Sequence, residues 1–144
     1  MLGSRVELEV DASLENIPKI IDFVASWMQD LKLDDIILAV ETSVDEACTN
    51  IIKHAYSGRG GIIAITCELQ DKDFVITIRD KGKPFDSSSV PPPDLGRDLD
   101  KRKIGGLGIY LMRKLMDDVS YSFDVEKGNT LVMRKIVTGK KCEG

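Results

Sequence analysis

At 144 residues the chain is long enough for one domain, which would bury about two-thirds of the surface its unfolded form exposes. The net charge of −4, with no basic run interleaved with aromatics, argues against direct nucleic-acid binding. One histidine and three cysteines without C-x-x-C spacing argue against a Cys/His metal centre and suit a reducing compartment. Residues 1–10 lack an apolar leader core and no apolar run reaches membrane-spanning length, so the expected location is the cytoplasm, with no membrane partner.

Val6, Leu8 and Val10 alternate with Arg5, Glu7 and Glu9, the pattern of a half-buried strand. Ser13 is positioned to cap a helix reaching about Leu31, with Ile17, Ile20, Ile21, Val24 and Met28 on its apolar face and Pro18 in its early turns. A second helix is expected over 33–56, capped by Asp34 or Asp35 and buried through Ile37, Val40, Val44, Ala47, Ile51 and Ala55. Two β-branched runs, IIAITCEL and FVITIRD, meet at a short turn around Asp71-Lys72 and predict a hairpin. Residues 81–104, rich in Pro, Ser and charge, read either as a linker or as a functional loop. Gly105-Gly106-Leu107-Gly108 then opens a helix to about Asp117. Val119, Tyr121 and Phe123 alternate in a strand, and the turn Lys127-Gly128-Asn129 leads into a last strand over 130–137. Helices that all need one apolar surface, with strands joined by short turns, predict a two-layer α/β sandwich. Its sheet should be mixed but largely antiparallel, with the helices on one face.

Three places could carry chemistry. Glu46, Asn50 and His54 are spaced four apart, and each turns only about 40° from the one before on an α-helix, so they share a line beside the apolar stripe. That row is the floor of a site or a solvated helix edge. Asp80-Lys81-Gly82 ends a predicted strand: a carboxylate there can accept from an exocyclic amine, and Gly82 admits a flat ligand, unless the segment is an ordinary turn. The glycines at 105, 106 and 108 stand at a helix N-terminus, which favours phosphate. No strand precedes them, so a Rossmann fingerprint does not fit, and neither a Walker loop nor a nucleophile elbow occurs.

In this order, E-x-x-x-N-x-x-x-H-A-Y, D-x-G-x-P-F-D and G-G-L-G-I-Y-L resemble the N, G1 and G2 boxes of the Bergerat-type (GHKL) ATP-binding fold, and Gly128-Asn129-Thr130 resembles its last nucleotide-binding turn. Within that superfamily, VDEACTNIIKHAY, DKGKPFD and GGLGIYLMRKLMDDV are similar to the anti-sigma-factor serine protein kinases of the general-stress and sporulation type. The resemblance implies ATP and Mg²⁺ as cofactors. It implies Glu46 as the catalytic carboxylate, Asn50 as the metal ligand, and Asp80 and Thr130 as readers of adenine. Gly82 would admit the ring, Gly106, Leu107 and Gly108 would form the phosphate cradle, and 83–104 would be an ATP lid. His54 is left between lining the nucleotide and capping the helix. Some members carry an arginine before the G2 glycines, where this chain has Ile104, so the γ-phosphate contact of Lys103 or Arg102 stays unassigned.

The resemblance also implies partners: an anti-anti-sigma protein of the STAS type as substrate, and a sigma factor or equivalent regulator as client, with homodimerisation left open. The alternative is a non-catalytic, nucleotide-gated binding module, against which the presence of Glu46 argues. A histidine-kinase catalytic domain is disfavoured, because the single His lies inside the N-box segment.

Overall fold

The computed structural model describes residues 5–84 and 106–137. Most of the segment expected to form a lid, 83–104, lies outside them. The described elements are β1 (Arg5–Asp11), α1 (Ile17–Asp30), α2 (Ile37–Asn50), β2 (Ile62–Gln70), β3 (Asp73–Asp80), α3 (Gly106–Leu115), β4 (Asp118–Asp124) and β5 (Gly128–Ile136). The strands form one sheet in the order β1-β2-β3-β5-β4. Every pairing is antiparallel, so the sheet is less mixed than expected.

Alternation along each strand separates the two faces. Val10, Ile63, Ile65, Cys67, Phe74, Ile76, Ile78, Leu131 and Met133 are buried on one side. Against them pack Ile20, Val24 and Met28 of α1 and Val40, Val44, Ala47 and Cys48 of α2. Each large aliphatic side chain so buried contributes about 1.5–3 kcal/mol relative to exposure. Trp27 joins the layers through Phe74, with ring centroids 5.8 Å apart. The other face carries Glu7, Glu9, Ala64, Thr66, Arg79 and Thr130, and Thr66 and Thr77 near its middle are buried.

Local chemistry at the helix starts differs from expectation. Short 3₁₀ turns, Leu14–Asn16 and Asp34–Ile36, precede α1 and α2. Neither Ser13 nor the N-cap residues Leu33 and Ile36 make a side-chain cap bond. Asp34 and Asp35 thus lie inside a tight entry turn, their charge still favourably placed near the helix N-terminus.

The larger difference comes after Asn50. Residues Ile51–Ala55 form a π-helical turn, in which Tyr56 N donates to Ile51 O at 2.9 Å. Such turns widen the helix by one residue per ring and recur at functional sites. The straight Glu46–Asn50–His54 line expected from α-helical spacing therefore holds only as far as Asn50. At the other end of the chain, β5 begins at Gly128, two residues earlier than expected, and α3 ends at Leu115.

Candidate nucleotide-binding site

Asp80 is the last residue of β3 and points to the buried face, where it is only 4% exposed. A carboxylate in such a place needs donors. Its Oδ1 accepts from Gly82 N at 2.8 Å and from Asn129 Nδ2 at 2.8 Å. Burial raises its pKa above the ordinary Asp value, and the bonds from Asn129 and Gly82 oppose that rise. Among the described residues both donors reach the same oxygen, Oδ1.

Asn129, not Thr130, stands beside Asp80. The register pairs Asp80 with Asn129 and Arg79 with Thr130, which puts Thr130 on the opposite face of the sheet. Asn129 is 1% exposed, and its amide nitrogen also reaches the carbonyls of Gly82 at 3.3 Å and Lys83 at 3.0 Å. Three acceptors around one NH₂ group settle the orientation of the amide. The Gly-Asn-Thr turn points to this place, but only the strand pairing chooses between its two polar side chains.

Gly82 lies flush against the end of the π turn. A Cβ there would collide with the carbonyl oxygen and carbon of Ala55 and with its side chain. Gly82→Ala should accordingly cost about 1–3 kcal/mol through overpacking, visible as a lowered midpoint in equilibrium denaturation. An unchanged midpoint would show that the strand end can move away from the helix.

Glu46 and Asn50 are both half-buried on α2, one helical turn apart, as expected from their spacing. Asn50 is the last residue before the π turn. No group of three or more His, Cys, Asp or Glu side chains capable of holding a metal occurs among the described residues. A divalent cation here would rely on Asn50 together with oxygens of the nucleotide, which suits Mg²⁺, an ion that keeps most of its water and takes few protein ligands. His54 lies half-buried in the π turn; its pKa is lowered by burial first and then by Lys53 and Lys83. The imidazole is therefore neutral at pH 7, available as a hydrogen-bonding group and not as a phosphate cation.

Gly106 starts α3, so the glycine-rich segment does open a helix, and α3 packs against α2. The backbone at 106–108 thus occupies the helix N-terminus expected for a phosphate cradle. A cavity of about 520 Å³ lies beside the end of β3, lined among others by Ala55, Tyr56, Arg59, Lys81, Gly82 and Lys83. Cys48 and Cys67 are buried with pKa values pushed up to about 12, which removes them as nucleophiles.

Comparison with known proteins agrees with this geometry. The family described as the histidine kinase-like ATPase domain matches residues 10–135. The serine-protein kinase RsbW of Listeria monocytogenes is 32% identical over 136 residues, covering 91% of this chain and 80% of that protein. The protein of the same name from Bacillus cereus is 35% identical over 108 residues, covering 72% of this chain and 66% of that one. The blue-light activated histidine kinase of Erythrobacter litoralis shares the fold, with a TM-score of 0.54 at 18% identity over 75% of this chain and 32% of that one. The chain belongs to the histidine kinase-like (GHKL) ATPase domain family, with the RsbW serine-protein kinases among its relatives.

Proposed function

We propose that this protein is an ATP-dependent serine protein kinase that also acts as an anti-sigma factor, phosphorylating a STAS-type anti-anti-sigma partner and so releasing or capturing a sigma factor by partner switching. The observation that carries the nucleotide part is the buried Asp80, anchored among the described residues through Oδ1 alone, by Asn129 and Gly82. The kinase part is supported by Glu46 one turn from Asn50 on α2, and by relatives named serine-protein kinase.

In this reading Asp80 accepts a hydrogen bond from the exocyclic amine of adenine, while the space left by the missing Gly82 side chain is taken by Ala55 and not by the ring. The N–H groups at the start of α3, at Gly106, Leu107 and Gly108, hold phosphate oxygens with the help of the helix dipole. Asn50 would supply one oxygen to Mg²⁺, which when bound would neutralise phosphate charge. Glu46 takes the proton from the incoming serine hydroxyl as its oxygen bonds to the γ-phosphorus, and the bond to the β–γ bridging oxygen breaks to leave ADP. His54, neutral beside Lys83, lines the base side of the site.

The reading is tested by incubating the protein with γ-labelled ATP and the STAS-domain protein encoded nearest to it. Label should pass to a serine of that partner. If the protein transfers nothing but binds the partner more tightly with ATP than without, it is a nucleotide-gated module instead.

A further inference from the structure

Tyr56 follows the π turn, and the groups it holds belong to two other elements. Its hydroxyl accepts from Lys81 N at 2.7 Å and donates to the carbonyl of Ile62 at 2.7 Å. One oxygen thus joins the start of β2 to the residue directly after Asp80. One position earlier, the carbonyl of Ala55 accepts from Lys83 N at 2.8 Å. That carbonyl is available because the chain leaves the helix here: Tyr56 N returns to Ile51 O, Gly58 N to Ile52 O and Arg59 N to Tyr56 O. Both amides that flank Gly82 are therefore fastened to residues 55 and 56. The Tyr56 ring is seated over Gly61, where any Cβ would collide with the ring carbons. Gly61 is not among the glycines with positive φ, so the close approach of the ring, and not backbone conformation, calls for glycine there.

We propose that Tyr56 is a positioning residue for base recognition: it fastens the Asp80–Gly82 strand end to the end of the π turn that continues α2, so that the base-reading carboxylate keeps one spacing from Asn50 and Glu46. The inference rests on the nucleotide reading above. A ligand that spans both subsites binds and reacts well only when their separation is held, and a displacement of about 1 Å can cost about 100-fold in rate. Tyr56 does this through Lys81 N, the peptide link that continues Asp80.

The test uses Tyr56→Phe and Asp80→Asn, singly and together, in the full chain, with amide hydrogen exchange and ATP titration as readouts. Tyr56→Phe should speed exchange of the Lys81 amide and weaken ATP binding by about tenfold, the scale of one lost hydrogen bond. In the Asp80→Asn background the same change should have almost no further effect on ATP affinity, because the group it positions is already gone. Gly61→Ala keeps the hydroxyl but displaces the ring, and should reproduce the pattern if Tyr56→Phe folds poorly. An equal loss of ATP affinity in both backgrounds would overturn the proposal, since a general loosening of the fold does not depend on Asp80. Unchanged exchange at Lys81 would overturn it as well. A parent protein that binds no ATP, while Lys81 exchange still responds to Tyr56→Phe, would defeat the nucleotide reading and the positioning role with it, leaving the hydrogen bond as a purely structural one.

Discussion

Asp80→Asn should weaken ATP binding roughly ten- to hundredfold while leaving the nucleotide-free protein as stable as the parent or more so. A hydrogen bond to an ionised acceptor is worth about 1.5–3 kcal/mol, and an amide in its place turns a donor toward the adenine amine. Stability runs the other way. The folded-state pKa of Asp80 lies above the ordinary value, with burial as the first cause, so the fold favours its protonated form. The stabilising contribution of that protonation is fully present below the unfolded pKa and is lost as pH rises through the folded one. At neutral pH the ionised carboxylate therefore destabilises the empty protein, and the amide of the variant would keep an acceptor for Gly82 and Asn129 without the charge. Calorimetry and thermal denaturation on the two proteins check both halves. The same direction of shift makes ATP affinity fall on acidification, starting at a higher pH than an exposed aspartate would give. Unchanged affinity in Asp80→Asn would place the base elsewhere.

Glu46→Gln should reduce phosphoryl transfer by about 10²- to 10⁴-fold, the usual contribution of a general base, with ATP affinity close to that of the parent. Gln preserves the shape of a half-buried side chain on α2, and Asn50 stays in place one turn away. The loss belongs to the chemical step, so it should appear in kcat and in single-turnover rates, with little change in nucleotide titration. Transfer at the parent rate would remove Glu46 as the base. Together with Asp80→Asn, the variant separates recognition of the nucleotide from its use.

Much of this site could be read from the chain because its parts are local. Alternation in FVITIRD puts Asp80 on the same side as Phe74, Ile76 and Ile78, so a charged group at the end of a buried face was visible without coordinates. The spacing of Glu46 and Asn50 needs only an α-helix, and α2 supplies it. The opening of α3 by glycines is likewise a matter of adjacent residues. What the chain left open depended on distant pairings. Whether Asn129 or Thr130 meets Asp80 is decided by the register of β5 on β3, and nothing within residues 128–130 encodes that register.

The sequence by itself determined most of the elements, the apolar face each one buries and the three places where chemistry-bearing residues stand in the chain. These follow from periodicity and backbone preference, which act over a few residues. The tertiary structure alone decided the π turn after Asn50, the seat of Gly82 on Ala55, the choice of Asn129 and the bridge from Tyr56 to Lys81 across 25 positions of sequence. Each of these satisfies a backbone or side-chain polar group at the junction of α2, β3 and β5. Such groups take whichever partners packing brings near, and packing is a property of the whole chain.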